Sequence, residues 1–173
     1  PCRLSKKNNN MKNTLILLTG LFLLTDLVFT QTKPGNGDAE FTAFLAKLDA
    51  AQVELQNGKA EAFKAIWSKA DDITLSGGFG GTVEKGWASI SKRLDWVGAN
   101  FAKGTNKIDR LVKNHGDKFG YVVQLEHIDF IVPDSGKAAT KDYRVTMIFR
   151  REKDGWRLIH RQADSQMTKQ APQ

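Results

Sequence analysis

The chain has one cysteine, Cys2, and it lies ahead of the first methionine, Met11. From Met11 onward there is no thiol, which excludes a disulfide framework and a thiolate metal site. There are also few histidines, His115, His127 and His160, at no metal-ligand spacing. The formal charge is +7, but the basic residues are spread along the chain rather than clustered. A nucleic-acid interface is therefore not expected. Long apolar runs are scarce too. The run from Leu15 to Phe29 carries Asp26 and falls short of the roughly 20 apolar residues that a spanning helix needs.

That run instead fits export. Lys12 gives a short basic start, Leu15 to Leu24 an apolar stretch, and Val28 and Thr30 small residues before a cleavage point near Thr30. This is the layout of a signal peptide, so a secreted or periplasmic protein with no stable membrane anchor after cleavage is expected. The expected organisation is residues 1–10 upstream of the native start, 11–31 signal peptide, 32–37 linker, 38–166 one domain and 167–173 a flexible tail.

Helical spacing dominates the first half. Phe41, Phe44, Leu45, Leu48, Ala51 and Leu55 recur every three or four residues, with Asp38 as N-cap and Asn57-Gly58 as stop. A second helix carries Ala60, Phe63, Ile66 and Trp67, and a third runs from Glu84 to Phe101. Between them, Ile73 and Leu75 suit a short strand, followed by the glycine-rich "SGGFGG". That segment lacks the Lys-Ser/Thr of a phosphate loop and reads as a turn.

The second half has strand periodicity in "NKIDRLVKN", "FGYVVQLEHIDFIV", "DYRVTMIFRRE" and "GWRLIHRQADSQ". Asp154-Gly155 predicts a tight hairpin. Helices followed by an antiparallel meander define an α+β fold. With that hairpin register, Val145, Met147, Phe149, Trp156, Leu158, His160, Gln162 and Asp164 share the inner face. Arg144, Thr146, Ile148, Arg150, Arg157, Ile159 and Arg161 share the outer one. Tyr121 and His127 are placed inside, and Gln124 and Glu126 outside.

His160 on an inner face is either a general acid or base or a core histidine with both ring nitrogens satisfied. Asp164 would orient it or pair with an arginine. Asp71 and Asp72 stand at the mouth of the glycine loop, as proton carriers or as local caps. Trp67, Trp87, Trp96 and Trp156 are core residues or walls for a planar ligand.

The segments "ADDITLSGGFGGTVEKGW", "RVTMIFRREKDGW" and "RLIHRQADSQ" resemble the SnoaL-like, ketosteroid-isomerase-like branch of the nuclear transport factor two-like superfamily. The resemblance covers about residues 38 to 166. It implies a cone-shaped curved antiparallel sheet wrapped around N-terminal helices, enclosing an apolar cavity for a small molecule. It also implies homodimers through the outer sheet face. Isomerase or cyclase acid–base chemistry would fall to His160, Asp72 and Asp164. Trp67, Trp87, Tyr121, His127, Phe149 and Gln162 would bind the ligand, with no cofactor and no metal. Relatives often carry a second histidine where this chain has Gln162. The competing expectation is a non-catalytic binding or dimerisation module on the same fold.

Overall fold

The computed structural model describes residues 36–165 together with 167 and 168. The expected signal peptide and upstream residues, linker residues 32–35 and the tail from residue 169 lie outside the described residues. No described helix is long and apolar enough to cross a membrane. Three helices, α1 (Asn36–Leu55), α2 (Glu61–Ile66) and α3 (Trp87–Ala99), accompany six strands. These are β1 (Thr74–Ser76), β2 (Glu84–Lys85), β3 (Ala102–His115), β4 (Phe119–Ile131), β5 (Ala138–Glu152) and β6 (Gly155–Asp164). They form one curved sheet in the order β2-β1-β6-β5-β4-β3.

The apolar stripe of α1 is buried as its spacing predicts, from Phe41 to Leu55. The helix begins two residues before Asp38, so Asp38 sits in its first turn rather than capping it. A carboxylate there complements the partial positive charge of the helix start. Its Oδ1 also lies 3.0 Å from His115 Nε2 on β3. The third helix starts at Trp87 rather than Glu84. Glu84 and Lys85 are instead taken up by pairing with Leu75 and Thr74 of β1. The meander β3-β4-β5-β6 is antiparallel, and β1 joins it by pairing parallel to β6.

The β5–β6 hairpin departs from expectation in two ways. Its turn residues are Lys153 and Asp154, with Glu152 opposite Gly155, so Phe149 faces Leu158. That two-residue slip preserves the faces. Further on, Ile148 pairs with His160, which leaves Ile159 as an extra residue in β6. Such a bulge inverts the alternation beyond it. Trp156 and Leu158 remain inside, but past Ile159 it is Arg161 and Ala163 that join Met147 and Val145 on the inner face. His160, Gln162 and Asp164 turn to the outer face, opposite their expected side.

A second inversion concerns β4. Val122, Gln124, Glu126, Ile128 and Phe130 are buried, while Tyr121 is exposed and His127 faces outward beside Asp142. The expected face is the opposite one, with Tyr121 and His127 inside and Gln124 and Glu126 outside. The structure keeps Tyr121, Val123 and Leu125 on the outer surface and puts two polar side chains inside.

One close approach fixes how the end of α1 meets β3. Gly104 N–H donates to the Gln56 carbonyl at 3.1 Å, and Asn57 Nδ2 donates to the Gly104 carbonyl at 2.9 Å. A Cβ on Gly104 would lie 2.5 Å from the backbone oxygen of Gln56. The obstruction is main chain and cannot rotate aside. Gly104→Ala is expected to destabilise the fold by about 1–3 kcal/mol, the usual range for overpacking. Chemical denaturation of the variant checks this.

Candidate functional site

The inner face of the sheet is not packed along its whole length. At one end Phe41, Phe44, Phe149 and Trp156 fill it, with Phe41 and Phe149 ring centroids 5.6 Å apart. At the other end lies a cavity of about 50 Å³. Its apolar wall comes from Leu55 of α1, Phe63 of α2, Leu75 of β1, Leu94 and Val97 of α3, Phe101 and Ile128. The loop Gly77–Phe79 forms one side. Its polar groups are Gln52 of α1 and Gln56, one turn further on and just past the helix end, with Glu126 of β4, Tyr143 of β5 and Arg161 of β6.

These polar groups are organised around Glu126, whose side chain is fully buried. Its Oε1 accepts from Gln52 Nε2 at 2.8 Å and from Gln124 Nε2 at 2.7 Å. Its Oε2 accepts from Arg161 Nη2 at 2.8 Å. Arg161 is itself 12% exposed. Gln124 Oε1 in turn accepts from Arg110 Nε at 3.0 Å, and Arg110 Nη2 donates to Asp49 at 2.6 Å. The network thus runs from the cavity to the partly exposed Asp49.

Four atoms of this polar end have no hydrogen-bond partner among the described residues: Gln52 Oε1, Gln56 Oε1, Tyr143 Oη and Arg161 Nε. All four belong to side chains lining the one cavity. An unmatched buried polar group costs about 1–3 kcal/mol, and a water or ligand in the cavity that bonded these atoms would lift that cost. The other unmatched atoms, on Trp67, Asn106 and Trp156, lie on residues that do not line it. Burial pushes the Tyr143 hydroxyl up to about 12, so it is protonated at neutral pH and available as a donor. Its ring lies directly against Gly78, leaving no room there for a Cβ.

None of the nine residues expected from sequence to form the site lines this cavity. His160 stands on the outer side of β6, with Nδ1 2.7 Å from Thr74 Oγ1, and burial lowers its pKa. Asp164 accepts from Arg144 at 2.6 Å, and Gln162 is exposed beside it in register. Asp72 is bound by Arg150 at 2.6 Å, and that guanidinium holds its carboxyl below the usual range. His127 Nδ1 lies 2.6 Å from Asp142, which raises its pKa. Trp67 and Phe149 are fully buried core. Trp87 carries the Lys69 ammonium 3.0 Å above its ring. Tyr121 lines a separate outer-face depression with Phe119 and Ile148.

The residues that do form the polar end left weak traces in the sequence. Gln52 and Gln56 interrupt the apolar stripe of α1, and Gln124 and Glu126 interrupt that of β4. Arg161 gave no trace, because its orientation depends on the bulge.

Comparison with known proteins places the fold. A model of the SnoaL-like domain matches residues 42–167, and the chain belongs to that family. A nuclear transport factor 2-like superfamily protein from Salmonella enterica superposes with a TM-score of 0.66 at 16% identity. The match covers 78% of this chain and 94% of that one. A ketosteroid isomerase-like protein from Erwinia carotovora gives 0.62 at 14% identity, covering 78% and 99% respectively. A nuclear transport factor 2-like protein with a cystatin-like fold from Novosphingobium aromaticivorans gives 0.59 at 19%, covering 77% and 84%. No curated protein sequence matches. The expected α+β cone is the observed fold.

Arg161→Leu removes the cation paired with the buried Glu126 and is expected to cost about 3–5 kcal/mol. Adding Glu126→Leu should recover much of that loss, because the uncompensated charge goes with it. Equilibrium denaturation of both single variants and the double variant measures the coupling. Additive losses would contradict the pairing.

Proposed function

We propose that this protein binds a compact, largely apolar small molecule in the cone cavity, held by one polar end. The observation that carries this is that four unmatched buried polar atoms all belong to side chains lining one largely apolar cavity. Tyr143 Oη and Arg161 Nε offer donors, and Gln52 and Gln56 offer acceptors. A few placed polar groups in an apolar concavity are the usual composition of a ligand site. The cavity exceeds the roughly 30 Å³ share of one water. Phe79, half-buried on the glycine loop and in edge contact with Phe101 at 5.4 Å, forms part of the wall.

Binding is favoured over proton-transfer chemistry. A general base needs a free lone pair at working pH. Glu126 Oε1 accepts two hydrogen bonds, Oε2 keeps a lone pair but is held by the Arg161 cation, Tyr143 is protonated, and no histidine lines the cavity. The small neutral ketone 2-butanone tests the reading. Its titration should shift the methyl NMR signals of Leu94 and Ile128. Tyr143→Phe should weaken it about 3- to 10-fold, the value of one hydrogen bond. Shifts confined to the outer face, or none, would overturn the proposal.

The outer sheet face supports self-association. Tyr121 and Ile148 are cross-strand partners and are 41% and 36% exposed, next to Phe119 at 54%. Around them both signs of charge alternate, Arg144 with Asp164 and His127 with Asp142. An apolar centre with a mixed rim can meet its own copy about a twofold axis. Light scattering at micromolar concentration should give twice the monomer mass, and Ile148→Glu should give the monomer. A monomeric wild-type protein would count against the dimer.

A further inference from the structure

We propose that the polar end of the cavity selects an uncharged carbonyl ligand that carries its own N–H or O–H donor, an amide above all. It rejects the carboxylate of the same skeleton. This rests on the reading of the cavity as a ligand site and specifies what that site takes.

The first argument is charge. The wall holds one cation, Arg161, and one anion, Glu126, joined at 2.8 Å. Their charges cancel within the wall. The next layer is balanced as well: Arg110 is paired with Asp49 at 2.6 Å, and the neutral Gln124 bridges the two pairs. Tyr143, with its proton retained, adds no charge. A ligand carboxylate would therefore be a surplus anion in a buried site and would compete with Glu126 for Arg161. Burial of an uncompensated charge is strongly unfavourable. A neutral ligand meets no such penalty.

The second argument is the count of donors and acceptors. Unmatched atoms of both kinds belong to side chains that line the cavity: the Tyr143 O–H and Arg161 Nε–H can donate, while Gln52 Oε1 and Gln56 Oε1 can accept. A carboxylate brings acceptors alone and sets negative oxygens against two amide oxygens. A ketone answers the donors and leaves the glutamines unmatched. A primary amide has one oxygen with two lone pairs and two N–H bonds, so it answers both sets. The expected order is amide, then ketone, then carboxylate. Sites built to hydrogen-bond a polar group discriminate strongly against analogues that lack it, because their own buried groups are left unpaired.

Isobutyramide and isobutyrate share a skeleton and differ at one atom and one charge. NMR titrations of the wild-type protein at pH 7 and matched ionic strength should show isobutyramide binding at least tenfold more tightly. Isobutyrate binding as tightly or more tightly would overturn the proposal. Glu126→Gln removes the compensating charge and should move the preference at least tenfold toward isobutyrate; an unchanged preference would overturn it. Gln56→Leu, which leaves the ion pair intact, should weaken isobutyramide and spare isobutyrate, and an equal effect on both would overturn it. If 2-butanone binds and isobutyramide does not, the donor argument is wrong while the cavity still holds a ligand. If none of the three binds, the cavity reading fails and this inference with it.

Discussion

The structure depends on one extra residue in β6. Ile159 has no partner across the hairpin, and beyond it the strand presents the opposite set of side chains to the interior. Without that inversion Arg161 would point away from the helices, and Glu126 would be buried with no cation. With it, the arginine reaches the carboxylate at 2.8 Å, and the two become the centre of the polar end. A buried pair of this kind contributes little net stability, because desolvation offsets the attraction. Its effect is to specify: the pair tolerates neither a missing partner nor a slipped register.

The two ends of the sheet's inner face are handled by different physics. At one end aromatic rings close the space by area and shape, with Phe41 contacting Phe44, Phe149 and Trp156. Nothing polar there calls for a partner except the Trp156 ring nitrogen. At the other end the wall stays apolar, but the polar groups are more numerous than the network can satisfy. The helices arrange this division. Upstream, α1 supplies phenylalanines and leucines; near its end comes Gln52, and just past it Gln56. Gly104 holds that end of the helix against β3, its N–H donating to the Gln56 carbonyl and its carbonyl accepting from Asn57 Nδ2.

How far the sequence could be read follows from what each feature depends on. The helices and the four-strand meander are legible, since they follow from local periodicity and turn chemistry; the parallel pairing of β1 with β6 is not. The helix boundaries at Asn36 and Trp87 differed by two or three residues, because a first turn and a short strand competed for the same segments. The site was not legible, for two reasons. Parity along a strand carries forward any single insertion, and no glycine marks the bulge at Ile159, so His160, Gln162 and Asp164 were assigned to the wrong face. In β4, burial followed the cavity rather than hydrophobicity. The apolar Tyr121, Val123 and Leu125 face outward, and the polar Gln124 and Glu126 face in. Gln52 and Gln56 were hidden for the same reason, as polar residues on a helix are ordinarily solvated.

The bulge in β6 also bears on how such a cavity diversifies. Loss of the bulge itself, with Ile159 retained and paired opposite Ile148, would exchange the inward Arg161 and Ala163 for the row His160, Gln162 and Asp164, already encoded on the opposite side of the same strand. The strand therefore carries two alternative linings, one cationic and one able to titrate. A one-residue shift of pairing beyond Leu158, rather than a series of substitutions, is the change that switches between them. Within this architecture, the register of the last strand sets the chemistry of the lining while the β3-β4-β5 pairing stays in place.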